Sequence, residues 1–291
     1  MTVHSLSRAM ALPAVVLGVV TLTLVMSAGA GLPVAGAAAL HFAALLAYGL
    51  LAFLALRIPY EAARTAAAGA LAIASMFLLY NTLGHVAFDA IPWNGDAALR
   101  AADRALALGA EPTVLLSNAI SGSRVTVEAL AFFYAAFIPY LYLSIFLTLV
   151  GRPPVLQIEF ITAFTLLYGM SFLGYLFVPA RGPVVAMAGD FASALNGGPF
   201  LQLVVDSIDR MGGPHGAFPS LHVGASLLLC VFDLRRGDPL RGLVYIPLVA
   251  LIAIATVSLR YHYVIDLLAG AACALLALAV AARLTGVRRG A

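Results

Sequence analysis

An all-α, polytopic membrane helix bundle is the fold class this sequence predicts, on three observations. Hydrophobic residues make up 63% of the 291-residue chain and charged residues only 10%, against ~45–50% and ~25% in an average soluble protein. The mean hydropathy is +1.03, and the apolar residues gather into eight runs near the ~20 residues that cross a hydrocarbon core. In lipid such runs must be helices, because only a helix satisfies its own backbone polar groups there. So few charges leave no room for a nucleic-acid binder, a disordered regulator or a secreted disulfide scaffold. All 16 basic residues are arginine and the formal charge is +3, which reads as guanidinium groups scattered at membrane edges rather than one basic patch. Cys230 and Cys273 lie inside apolar runs with no metal-ligand spacing and read as small core residues.

The runs cover about 12–30, 34–56, 65–88, 128–150, 156–178, 219–234, 242–259 and 263–283. Ala28-Gly29-Ala30 after the first also resembles a signal-peptide cleavage site, but the apolar stretch from Ala9 to Met26 exceeds the usual ~7–15 residues of such a segment, so it is read as a span. The sixth and seventh runs are short, a mismatch that tilt or local thinning absorbs. Two long connections interrupt the pattern. About 89–127 holds Asp96, Arg100, Asp103 and Arg104 at helical spacing opposite leucines, preceded by Trp93, which predicts an amphipathic helix in the interface. About 179–218 is rich in Gly and Pro, and loops of that length are commonly functional.

Arginine sets the orientation. Arg8, Arg57, Arg64, Arg152, Arg235, Arg236, Arg241, Arg283, Arg288 and Arg289 fall on the side of the N-terminus. Arg100, Arg104, Arg124, Arg181, Arg210 and Arg260 fall on the other, mostly in the long connections that weigh less in the positive-inside bias. Both termini are therefore expected in the cytoplasm.

Polar residues at membrane depth are costly, so their placement carries information. Three patches fall at helix ends on the outer side: Arg181 after the fifth span, Ser220 and His222 at the start of the sixth, and Arg260, His262 and Asp266 at the start of the eighth. His262 and Asp266 are four apart, so the carboxylate can accept the imidazole Nδ1 proton and leave Nε2 free to attack. The same pair also fits a structural cap of the eighth helix. Pro219 suits a first helical position, and a helix starting there aims free N–H groups at an anion. The alternative is a plain interfacial start. Arg181 and Arg260 could each hold phosphate or snorkel to headgroups. A metal site from His215, His222, His262 and an Asp has no recognisable ligand spacing. Asn81 and His85 on the third span either line a lipid-entry groove or bond a neighbouring helix, the second being the preferred reading; Glu159 reads as interfacial, and Phe132-Phe133-Tyr134 with Tyr140 and Tyr142 as lipid-facing packing.

Gly216-Ala-Phe-Pro219-Ser220-Leu-His222 resembles the second motif, Pro-Ser-Gly-His and its variants, of the type 2 phosphatidic acid phosphatase superfamily. Arg260-Tyr-His262-Tyr-Val-Ile-Asp266 resembles the third motif, and Pro179-Ala-Arg181-Gly-Pro183 a degenerate first. The first-motif Lys is missing, and Thr256 stands where an Arg usually precedes the third-motif His by six residues. The Pro-Ser-Leu-His wording and the interfacial helix are closer to the inositol phosphorylceramide synthase and sphingomyelin synthase branch.

The resemblance implies a six-helix core over 65–283, preceded by two N-terminal helices in 1–64 and followed by a cytoplasmic tail at 284–291. It implies that His262 is the nucleophile forming a phosphohistidine, Asp266 its orienting partner, and His222 the general acid and then base. Arg181, Ser220, Arg260 and His215 would hold the phosphoryl oxygens. No metal or cofactor is implied. The expected activity is phosphoryl transfer from a lipid phosphate or phospholipid, with water as acceptor in a phosphatase or a lipid hydroxyl in a headgroup transferase. The alternative from another class is a lipid or anion transporter, whose site would lie near the midplane between repeats. The Ala- and Arg-rich, Lys-free composition points to a bacterial inner or plasma membrane, with the site on the periplasmic or extracellular face.

Overall fold

The computed structural model describes residues 3–29, 31, 34–90, 93–211, 213–236 and 238–286, the side chains of 3–5 and 83–90 excepted. Ala30, Arg288, Arg289 and the His85 side chain, named above, lie outside the described residues. In chain order the helices are α1 (Val3–Gly29), α2 (Ala35–Leu56), α3 (Glu61–Ala90), α4 (Asp96–Leu106), α5 (Pro112–Ile120), α6 (Arg124–Gly151), α7 (Pro154–Phe177), α8 (Pro183–Ala186), α9 (Pro199–Arg210), α10 (Leu221–Arg236), α11 (Pro239–Ser258) and α12 (Val264–Thr285). A 3₁₀ turn at Ala188–Asp190 follows α8, and no strand occurs among the described residues.

Each of the eight apolar runs becomes a helix. Seven (α1, α2, α3, α6, α7, α11 and α12) are long and apolar enough to cross a membrane, so the chain is an integral membrane protein. α10 has 16 residues, or ~24 Å at 1.5 Å per residue, less than the ~30 Å of a hydrocarbon core. It packs among α7, α11 and α12, so protein surrounds the helix that is too short for lipid alone.

α7 is the hub. It packs against α1, α3, α10 and α12 and buries Phe160, Phe164 and Phe172 completely, with Phe164 stacked on Tyr168 at 4.4 Å between ring centroids. Glycine lets helices approach where apolar burial drives little association in lipid: a Cβ on Gly270 of α12 would sit 2.3 Å from the Ser220 carbonyl oxygen. That contact brings the starts of α10 and α12 together, as the site requires. α1 and α2 pack on each other and on α3, and α2 leaves Leu46, Leu50 and Phe53 exposed on its outer side.

The end of the bundle away from the motifs is held by buried ion pairs. Asp233 on α10 receives both Nε and Nη2 of Arg241, with Arg152 at 3.8 Å. Glu159, expected at the interface, is instead buried and paired with Arg236 at 3.2 Å. It starts the most enclosed helix, where its charge has no route to water. Removing one partner of such a pair strands the other charge, which costs ~3–5 kcal/mol. Asp233→Ala is therefore expected to lower the melting temperature in detergent by several degrees, and an unchanged melting curve would show the pair to be idle.

Both long connections are more structured than their sequence suggested. α5 and α9 fold within them, and α4 does not set its charges opposite its leucines as expected. Its Asp96, Leu99 and Asp103 are buried against the protein while Leu106 is 54% exposed. The acids face inward because unpaired backbone N–H groups of the neighbouring loops wait there.

Candidate active site

Three chain segments meet at the motif end, knit by their backbones. Ser220 N donates to Asp266 O at 3.0 Å, Ala217 N to Ala180 O at 3.3 Å, and Val184 N to Arg260 O at 2.6 Å. Gly182, at φ +82° with a hypothetical Cβ 2.5 Å from the Tyr261 carbonyl oxygen, is the point of closest approach. The patches bearing Arg181, Ser220–His222 and His262–Asp266 are thus one site.

His262 lies two residues before α12, so it is not on the helix as its spacing suggested. The pair still forms because Asp266, on the first turn, reaches back. Its Oδ2 is 3.3 Å from His262 Nδ1 and also accepts Tyr263 N at 2.8 Å. One carboxylate oxygen therefore serves both readings of the spacing, the helix cap and the imidazole partner. With Nδ1 protonated toward Asp266, Nε2 carries the lone pair. Around Nε2 stand Ser220 Oγ at 3.3 Å and His222 Nδ1 at 3.4 Å. α10 begins at Leu221 rather than at Pro219, which leaves Ser220 in the N-cap position, its Oγ also accepting Val223 N at 3.4 Å. His222 is held between the rings of Tyr134 and Phe137, at 4.6 and 4.5 Å between centroids.

The remaining expected residues divide. Arg181 and His215 line the same cavity as His222 and His262, and His215 Nδ1 bonds the Gly213 carbonyl at 2.7 Å. Arg260 is not among the lining residues. Its Nε donates to Ser117 Oγ at 2.7 Å, its Nη2 to Ser193 O at 2.6 Å, and its guanidinium lies 4.0 Å from the Phe191 ring centre. The structure does not bring Arg260 to the cavity: the left-handed backbone at this residue, φ +74°, turns the side chain toward α5 and the α8–α9 segment, where it ties loops together.

The cavity has a volume of about 470 Å³. One end carries Arg181, His215, His222 and His262; the rest is walled by Phe77 and Tyr80 of α3, Ile138 and Tyr142 of α6, Tyr168 and Tyr175 of α7, and Leu203, Val204 and Ile208 of α9. Ile138 and Tyr142 are each 51% exposed, so protein does not seal this part of the wall. Asn81 also lines the cavity, with its amide bonded to its own helix at Phe77 O rather than to a neighbour. Tyr134 and Tyr142, read from sequence as lipid-facing packing, belong to the wall. The signal was present: Tyr134, Phe137, Ile138, Leu141 and Tyr142 repeat at three and four, one helix face. Val204 and Ile208 of α9 and Met211 just after it do the same. Glu128 of α6 fixes α9 by accepting Gly198 N, Phe200 N and Leu201 N at 2.8–3.0 Å. Burial pushes the Tyr261 hydroxyl up to about 12, so it faces the cavity as a neutral donor. Burial also raises the pKa of Asp103, against the opposing pull of the Val264 and Ile265 amides. Among the described residues no group of three or more His, Cys, Asp and Glu side chains is placed to hold a metal ion.

At one end of an apolar cavity in the helical bundle stand two imidazoles 3.4 Å apart, a carboxylate partner and a helix N-terminus. A family model of the PAP2 superfamily matches residues 97–280, well over half of the chain. The protein belongs to the PAP2 superfamily, a group of phosphatase- and phosphotransferase-type enzymes. The matched stretch runs from α4 to α12 and leaves α1–α3 outside it. No curated protein and no solved structure shows a significant match to the chain.

Proposed function

We propose that this protein is a lipid phosphate phosphatase working through a phosphohistidine on His262, with no metal in the reaction. The observation that carries this reading is His262 Nε2 at the polar end of a largely apolar cavity, with Asp266 on Nδ1 and His222 Nδ1 at 3.4 Å. A lipid phosphate fits with its headgroup at the histidines and its chain along Phe77, Ile138 and Tyr142. Nε2 attacks phosphorus, a P–N bond forms as the P–O bond to the lipid breaks, and His222 gives the leaving oxygen its proton. His222 then takes a proton from water, which attacks phosphorus, releases phosphate and restores the Nε2 lone pair. Arg181, Ser220 and the free N–H groups of α10 hold the phosphoryl oxygens, where charge stabilisation supplies most of the rate. The site faces the periplasm or exterior, with both termini in the cytoplasm, as the arginine distribution supports.

One observation favours a second reading, headgroup transfer to a lipid hydroxyl in the manner of the inositol phosphorylceramide synthase branch. Among the described lining residues Arg181 is the only arginine, and one fixed positive charge matches a phosphodiester better than a doubly charged monoester. The test is phosphate release from a panel of lipid monophosphates in detergent with EDTA present, beside transfer of a labelled headgroup from an intact phospholipid to a lipid alcohol. Phosphate release by wild type and not by His262→Ala supports the phosphatase. Transfer without release supports the second reading. Lipid movement across proteoliposomes that survives His262→Ala would sink both.

A further inference from the structure

We infer that Asp96 and Asp103 are positioning residues and that α4 is a strap setting the distance between the Arg181 segment and the His262–Asp266 segment. The inference rests on the phosphoryl site proposed above. Asp96 Oδ2 accepts Arg181 N at 2.9 Å, and its Oδ1 accepts Gly182 N at 2.8 Å and the Tyr263 hydroxyl at 3.2 Å. A single carboxylate thus holds the backbone of Arg181 and the residue next to His262. Two turns along the same helix face, Asp103 Oδ2 accepts Val264 N at 2.9 Å and Oδ1 accepts Ile265 N at 2.8 Å. These are the first two amides of α12, the helix that carries Asp266, and a negative charge there is favoured by the helix dipole.

Docking α4 alone does not account for this design. Leu99 lies between the two acids on the same buried face, and apolar neighbours like it would seat the helix without burying two carboxylates, which is costly unless every oxygen is partnered. Here the partners are not α4's own groups but the loop amides of Arg181 and Gly182, the Tyr263 hydroxyl and the first two amides of α12, on the two segments that carry the proposed chemistry. A carboxylate suits the task because it offers only acceptors, whereas the isosteric amide must turn an N–H₂ toward a backbone N–H. The substitution Asp96→Asn therefore keeps the volume, loses an acceptor and sets donor against donor.

The test uses the full-length protein in detergent with Asp96→Asn, Asp103→Asn and the conservative Asp96→Glu. Orthovanadate is the probe, read as protection of His262 from carbethoxylation by diethyl pyrocarbonate and followed by peptide mass spectrometry. The half-protecting vanadate concentration is expected to rise about tenfold in each Asn variant, while the unprotected modification rate of His262 stays within about twofold of wild type, as it should for an imidazole still in place. On any lipid phosphate that wild type turns over, kcat is expected to fall ~10²-fold in the Asn variants with little change in KM, the mark of misplaced groups that act in the transition state. Asp96→Glu is expected to recover part of both. A merely structural carboxylate would lower the melting temperature and leave kcat per folded molecule and the vanadate concentration unchanged, which overturns the strap. A wild type that vanadate does not protect and that is inert on every lipid phosphate overturns the phosphoryl site itself, and the strap with it.

Discussion

Alanine at His262 is expected to lower kcat by on the order of 10⁴-fold or more, the loss of a nucleophile rather than of a binding contact. The melting temperature should stay within a few degrees of wild type, because Asp266 Oδ2 keeps Tyr263 N as a partner when the imidazole leaves. Asp266→Asn tests the other half of the pair. Its amide can donate where the Nδ1 proton needs an acceptor, so the imidazole is driven toward the tautomer with its proton on Nε2, and the attacking lone pair is lost. A fall of ~10²–10⁴-fold in kcat is expected, by analogy with the wrong-tautomer effect in hydrolytic triads. Phosphate release gives kcat, and rapid quenching of enzyme mixed with ³²P-labelled lipid phosphate shows whether label sits on the protein. Wild type should be labelled and His262→Ala should not. Label on the His262→Ala protein would place the nucleophile elsewhere and end the mechanism argued here.

The spans were legible because lipid enforces a simple rule: an apolar run of sufficient length has no alternative to a helix. That rule is silent about the connections. α9 carries its pattern in Leu201, Val204 and Ile208, but a 40-residue stretch punctuated by Gly and Pro hides a single 12-residue helix. α4 shows a different limit. Sequence set its charges opposite its leucines, yet Leu99 shares the buried face with Asp96 and Asp103, because the inward face is chosen by the backbone amides of Arg181, Gly182, Val264 and Ile265, and backbone need leaves no trace in composition. The His262–Asp266 contact was legible from its four-residue spacing, although His262 precedes the helix that the spacing evoked. The contacts of Arg260 were not legible for a physical reason: a guanidinium beside the His motif has phosphate as its obvious partner, while Ser117, Ser193 and Phe191, which hold it here, lie 67 or more residues away in the chain.

Gly182→Ala is expected to have the second largest effect, because two independent penalties fall on one atom. The backbone there has φ +82° and ψ 172°, a region nearly closed to residues with a Cβ at a cost of ~1–3 kcal/mol. That Cβ would also lie 2.5 Å from the Tyr261 carbonyl oxygen, a backbone atom that cannot swing aside as a side chain can. Relief requires parting the Arg181 segment from the His262 segment, and a displacement of ~1 Å between groups acting on one phosphoryl centre costs ~10²-fold in rate. Gly286 is the control. It also has positive φ, +67°, but open space around its Cβ position, and it caps α12 at the end away from the site. Gly286→Ala should lose ~1 kcal/mol of stability with kcat unchanged, whereas Gly182→Ala should lose activity out of proportion to its melting temperature. Equal behaviour of the two variants would mean that the close approach of the two segments is incidental, and that the separation of Arg181 from His262 is set by some other contact.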